Sequence, residues 1–420
     1  MARGQVRFLS SIPRGYPDSA GLVNRLKTEL LNPDSMATVR LAGWQPCAHP
    51  RRKVLHVVGS MDRGGVETWL MHVTRNINGQ QFEFHFLVEA DSEAAYDREV
   101  LSLGGHIHRV GNHHNVLHYA SKFMAVAREY GPFDVIHSHV YSYSGFVMRL
   151  AEKAGIPIRI AHSHTARTAK SWKVSRLLYE KLMRTWIRRY ATHRIAISEQ
   201  AGQALFGSQH ENPFTILYYG FDFRQFLCVA PVEQLKKRYN IPLHRKVIGH
   251  VGRLVPVKNH AFIIDCVEDV IKRGADVHLL CVGGGPLFES LQGLISSRGL
   301  SDRCTFAGVQ ADVSPFLAAM NILVLPSHWE GLGIVTLEAQ AAGVPVLASA
   351  AVPAEVDVIP GMVQHLSLSA GPRVWAEMLI RTLQQPPRIR TGIEATLLES
   401  SRFGLKHCLE SLNRIYCGPN

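Results

Sequence analysis

Short apolar runs alternate with amphipathic stretches along most of the chain. Residues 54–58 form an apolar run of the kind found in strands buried on both faces. A glycine-containing turn, 59–65, follows, and then Trp69, Leu70, Val73 and Ile77 recur at helical spacing. Residues 82–88 predict the next strand. A helix near 118–130 leads to strands at 134–137, 158–161 and 194–197. Pro213, Pro231 and Pro242 interrupt this rhythm across 212–245. It restarts with strands at 247–251, 277–282, 305–307, 322–325 and 345–348. Helices at 259–273, 287–297, 313–320 and 333–342 separate them. Strand–helix alternation of this length predicts α/β architecture: two doubly wound parallel sheets facing across a cleft. The expected domains are 51–228 and 229–395, preceded by a poorly ordered extension, 1–50. A C-terminal helix within 396–420 is expected to return to the first domain.

Composition narrows the class. Of 420 residues, 46% are hydrophobic and 19% charged, which excludes a disordered or collagenous chain. No apolar run is long enough for a membrane span, and the N-terminus has no secretory-leader pattern. The seven cysteines are scattered without a C-x-x-C pair, an arrangement that predicts free thiols in a reducing compartment. The net charge of +12 asks for an acidic partner, and its distribution matters more than its size. Residues 153–194 alone hold 11 basic residues against one acidic residue, Glu180.

The candidate chemistry is concentrated in two stretches. In WEGLGIVTLEAQAAGVPVLAS, Trp329 to Ser349, Glu330 follows a strand and Glu338 lies inside the next helix. Gly331 and Gly333 let backbone approach a ligand, and free N–H groups near Ile334 and Val335 suit an anion. Carboxylates beside an anion site suggest a sugar and a ribose flanking a phosphate. In GHVGRLVPVKNH, Arg253 and Lys258 follow the first strand of the second domain. Two cations opposite a helix start can neutralise a diphosphate leaving group. Two further pairs, His137/His139 and His162/His164, sit at strand carboxyl ends with each pair on one face. Metal binding is one reading of these pairs. No carboxylate or cysteine accompanies them at usual zinc spacing, and no metal or cofactor is expected. His113, His114 and His118 read as a polar loop. There is no Asp-x-Asp and no G-x-x-x-x-G-K-[ST] loop, and VGSMDRGG is not a dinucleotide fingerprint.

These residues, with VLHVVGSMDRGGVET, DVIHSH, AHSHT, AISEQA, ILYYGFD, VGGGP and FAGVQADV in order, resemble family-4 retaining glycosyltransferases of the GT-B fold. The likeness covers about 53–380 and is greatest to the exopolysaccharide-biosynthesis, EpsF-like branch. It implies two Rossmann-like domains and metal-independent transfer of a sugar from a nucleotide diphosphate donor, expected to be a UDP-sugar. The implied acceptor is a saccharide or lipid-linked saccharide. The resemblance places Gly64 and Gly65 near the donor phosphates, Arg253 and Lys258 on the diphosphate, and Glu330 on sugar hydroxyls, helped by Gly331, Leu332 and Gly333. Ile334 and Val335 complete the anion site, Glu338 binds the ribose, and Val309 and Gln310 flank the base beside Gly283 and Gly284. His139 approaches the reaction centre, and His162, His164 and Thr165 lie on the acceptor side. Glu330, His139, Arg253 and Lys258 are the implied catalytic set. Tyr219 departs from the family, which often has Asn there. An inactive scaffold that binds partners in a polysaccharide assembly is the alternative.

Residues 170–190 read as a basic amphipathic helix. Leu178, Leu182, Trp186 and Tyr190 recur every four residues, with Met183 and Ile187 alongside. Its apolar stripe either packs on the domain core or, with its lysines and arginines, meets an anionic membrane surface. That expectation places the protein in the cytoplasm, peripheral at the inner face of the membrane, and excludes nucleic acid as the partner.

Overall fold

The computed structural model describes residues 51–111, 115–165, 174–226, 231–386 and 392–418. The extension 1–50, His113, His114 and the segment carrying Lys170, Trp172 and Lys173 lie outside the described residues.

Two parallel sheets organise the chain. The first has seven strands in the order β3-β2-β1-β4-β5-β6-β7. They are β1 (Arg52–Val58), β2 (Phe82–Val88), β3 (His106–Arg109), β4 (Val135–Ser138), β5 (Ile158–Ser163), β6 (His193–Ala196) and β7 (Thr215–Ile216). The second has six, in the order β10-β9-β8-β11-β12-β13. They are β8 (Lys246–Val251), β9 (Val277–Val282), β10 (Cys304–Phe306), β11 (Ile322–Leu325), β12 (Val346–Ser349) and β13 (Val363–Leu366). Strand order reverses between β1 and β4 in one sheet and between β8 and β11 in the other. A doubly wound sheet opens a crevice at such a switch point, outside the strand carboxyl ends.

Helices cover both faces of each sheet, so the central strands are buried throughout; every residue of β9, β11 and β12 is buried. Four helices bear on the site: α1 (Gly65–Asn76), α2 (Val174–Tyr190), α3 (Ile334–Ala341) and α4 (Leu405–Cys417). The last returns to the first sheet. It buries Leu405, Cys408, Leu409, Leu412 and Tyr416. A fully buried side chain of leucine size contributes about 1.5–3 kcal/mol. Trp69 of α1 donates its indole N–H to Cys408 Sγ at 3.3 Å, and Arg52 donates to the Tyr416 carbonyl at 3.0 Å. Cys266, Cys281, Cys304 and Cys408 are free thiols, but Cys417 is disulfide-bonded, which departs from the expectation of free thiols throughout.

Candidate active site

A cleft of about 730 Å³ opens between the carboxyl ends of the two sheets. Two helix starts point into it. Gly64 caps α1 and Gly333 caps α3, and neither start has a side-chain cap. The leading N–H groups of α3 are therefore available to an anion, favoured further by the helix dipole. At the start of α1 the Glu67 carboxylate accepts from its own backbone N–H, and burial pushes its carboxyl up to about 6. The starts are close to one another: a Cβ on Gly65 would lie 3.2 Å from Ile334 Cδ1. Gly333 has φ +77°, the left-handed conformation that lets the chain turn from β11 into α3.

Lys258 and Glu330 face each other in this cleft. The turn carrying Lys258 is tied to the loop after β11 by His328 N–H donating to the Val257 carbonyl at 2.9 Å. Lys258 Nζ then lies 2.5 Å from Glu330 Oε1, which also accepts from Ser327 Oγ at 2.5 Å. Ser327 is itself held through its carbonyl by Ser349 Oγ at 2.6 Å. Arg253 lines the same wall. Glu338, one helical turn into α3, has its carboxyl pushed up to about 7 by burial and then by the Asp312 carboxylate. Val309 is 63% exposed at the cleft, and Gln310 beside it donates to the Ala307 carbonyl.

The lining residues include Gly64, Gly65, Gly283, Arg253, Lys258, Val309, Gln310, the run Glu330 to Val335, Glu338 and His164. Gly284 lies just behind the wall, where an added Cβ would meet Val309 Cγ2 at 2.9 Å. His139, His162 and Thr165 do not line the cleft. His164 stands at the wall, and His139 is behind it, its Nδ1 2.8 Å from His164 Nε2. His162 is completely buried, so in this conformation it does not reach an acceptor. Tyr219 has a part that the sequence does not announce: its hydroxyl meets His164 Nδ1 at 2.5 Å while its ring stacks on Trp69. The only hint was its departure from the family pattern. Burial holds His56 and His164 at about 3. Burial and then neighbouring imidazoles hold His137, His139 and His162 well below the usual histidine range.

The two domains touch at Gly331. Ser198 Oγ, on the first domain, donates to the Gly331 carbonyl at 2.9 Å. A Cβ on Gly331 would fall 2.3 Å from the His164 carbonyl oxygen. Gly331 therefore permits close approach of the opposite domain, where the sequence suggested approach to a ligand.

Helix α2 divides its apolar side chains. Met183 and Ile187 turn into the domain core, whereas Leu177, Leu178, Tyr179 and Leu182 are 40–63% exposed. Trp186 is covered by the Arg149 guanidinium, 4.5 Å from its ring. Among the described residues, no helix is long and apolar enough to cross a membrane.

The chain, two parallel-sheet domains with helix starts, cations and carboxylates between them, belongs to the family-4/group-1 glycosyltransferases. Residues 63–225 match the Glycosyltransferase Family 4 model and residues 231–388 match Glycosyl transferases group 1. The glycosyltransferase EpsF of Bacillus subtilis (strain 168) is 33% identical over 83% of this chain and 92% of its own length. CapH of Staphylococcus aureus, a capsular polysaccharide biosynthesis glycosyltransferase, is 25% identical over 68% of this chain and 78% of its own. The crystal structure of HepE from Anabaena with UDP-glucose superposes with a TM-score of 0.67 at 21% identity, over 86% of this chain and 98% of that one. The fold is thus GT-B.

Proposed function

We propose that this glycosyltransferase moves a sugar, with retention, from a nucleotide diphosphate donor to a saccharide or lipid-linked saccharide acceptor in cell-surface or exopolysaccharide synthesis. The observation that carries the reading is the Lys258–Glu330 pair in the cleft that the uncapped start of α3 also lines. The diphosphate lies against the starts of α1 and α3, with Arg253 and Lys258 balancing its growing charge in place of a metal. Glu330 accepts from sugar hydroxyls, Glu338 from the ribose, and Val309 and Gln310 flank the base. HepE, crystallised with UDP-glucose, supports a UDP-sugar as the donor.

Bond breaking leaves positive character on the sugar carbon and negative charge on the departing diphosphate. Lys258 shifts from Glu330 toward that diphosphate as the charge develops, which strengthens its contact in the transition state. The acceptor hydroxyl attacks from the face the diphosphate leaves, and its proton passes to the departing phosphate oxygen as the new carbon–oxygen bond forms. Domain closure over Gly331 excludes water from this step. A nucleotide-sugar panel assayed for transfer tests the proposal, with product anomeric configuration read by NMR. Donor binding without transfer to any saccharide or lipid-linked acceptor would remove it.

We further propose that α2 holds the enzyme at the cytoplasmic face of an anionic membrane. Its exposed Leu177, Leu178 and Leu182 flank Lys181, Arg188 and Arg189, a combination suited to headgroups and the acyl boundary.

A further inference from the structure

The histidines behind the cleft wall have no part in the transfer chemistry above. Alternation along a strand sets His137 and His139 on one face at the end of β4, and His162 and His164 likewise at the end of β5. His56 of β1 is the register partner of His137. Five imidazoles from three neighbouring strands therefore share one patch.

Three hydrogen bonds fix the outer side of this patch. His139 Nε2 meets His56 Nδ1 at 3.1 Å, and His162 Nδ1 meets His137 Nε2 at 3.0 Å. His164 Nδ1 meets the Tyr219 hydroxyl at 2.5 Å. On the inner side, His139 Nδ1 and His164 Nε2 hydrogen-bond to each other at 2.8 Å, and His162 Nε2 is buried without a hydrogen-bond partner. One nitrogen from each of these three histidines lies within 4.8 Å of the other two. A buried, unpartnered ring nitrogen carries a desolvation cost that a bound ligand would offset.

We propose that His139, His162 and His164 bind a divalent transition-metal ion of the zinc class, with its open position toward the cleft that His164 lines. Three neutral imidazoles are a sufficient protein donor set when one position remains for water or substrate. Ion binding moves the proton between His139 Nδ1 and His164 Nε2 to an outer nitrogen, so that His139 donates to His56, His162 to His137 and His164 to Tyr219. These outer bonds fix the tautomers and aim the remaining lone pairs at the ion. Metal–nitrogen distances of about 2.0–2.1 Å set ligand nitrogens about 3.3 Å apart, so His139 and His164 separate by about half an ångström on binding. The expectation of no metal rested on each pair taken alone; adjacent strands combine the pairs. Arg253 and Lys258 belong to the other domain, so this ion is separate from charge balance at the diphosphate.

The test uses the untagged full-length chain, stripped with a chelator and titrated with Zn²⁺ and Co²⁺. Elemental analysis should give about one ion per chain, with a rise in melting temperature on Zn²⁺ addition. His162→Gln and His164→Gln should each weaken binding tenfold or more, whereas His210→Gln, at an exposed position, should leave it unchanged. X-ray absorption at the zinc edge of the wild-type chain should show imidazole neighbours, and this readout needs no variant to fold. No saturable binding by the folded wild type, binding that survives both substitutions, or zinc without imidazole neighbours would each overturn the site. None of these readouts depends on sugar transfer.

Discussion

Lys258 Nζ rests 2.5 Å from Glu330 Oε1, so the cation assigned to the donor diphosphate is held, before any donor arrives, by the carboxylate assigned to the sugar. Lys258→Ala removes charge balance from the leaving group and should lower kcat by about 10²–10³-fold. Glu330→Gln keeps shape and hydrogen-bonding capacity but releases Lys258, and should lower kcat more than it raises donor KM. Steady-state transfer assays with a saturating donor separate the two, and full activity in either variant contradicts the assigned roles.

The Glu338 carboxyl titrates near neutrality, at about 7. Its folded value is raised, so the native protein holds a proton that the unfolded chain has lost. Stability therefore falls as pH rises from about 4.5 to 7, the ordinary and folded values. Donor binding runs the other way, because only the carboxylate accepts from both ribose hydroxyls. Nucleotide affinity should tighten about tenfold between pH 6 and pH 8, and Glu338→Gln should flatten that profile. Calorimetric titration with UDP across the range reads both slopes.

Gly331→Ala should act through domain approach rather than through the donor. The added carbon meets the His164 carbonyl at 2.3 Å, which only a small separation of the domains relieves. We expect kcat/KM to fall about 10–100-fold with little change in nucleotide affinity. Small-angle scattering should show a slightly more open molecule, and an unaltered kcat/KM would contradict this reading of the contact.

Membrane association should depend on both faces of α2. Leu178→Ser with Leu182→Ser should reduce sedimentation with anionic vesicles, as should Lys181→Glu with Arg188→Glu. Binding of the wild type should weaken between low and high salt, since the charge contribution is screened. Equal binding to neutral and anionic vesicles would contradict the proposal.

The central strands were legible because burial on both faces writes a continuous apolar run. Residues 82–88, 277–282 and 322–325 were read with the bounds that the strands have. The outer strand β3, His106–Arg109, and the outer strand β13, Val363–Leu366, escaped because their exposed positions are polar and carry no such run. Glu330, Gly333 and Glu338 were readable because one loop and the helix after it hold all three. Tyr219 against His164, and the joining of two histidine pairs, were not readable, because strand neighbourhood and register are not written locally. The position of His139 behind His164 has the same origin.

Helix α4 also limits how the two halves can move relative to one another. The chain leaves the first sheet after β7, builds the second, and comes back to place Tyr416 against His137 and Cys408 against Trp69. Two strands of polypeptide therefore span the halves. A single tether would permit twisting and sliding alike, whereas a pair leaves rotation about the line joining them as the soft motion. Any opening about that line would bring α1 back to the same facing against α3. Cutting the chain before Leu405 would spare the second domain and strip the first of both its tether and part of its interior.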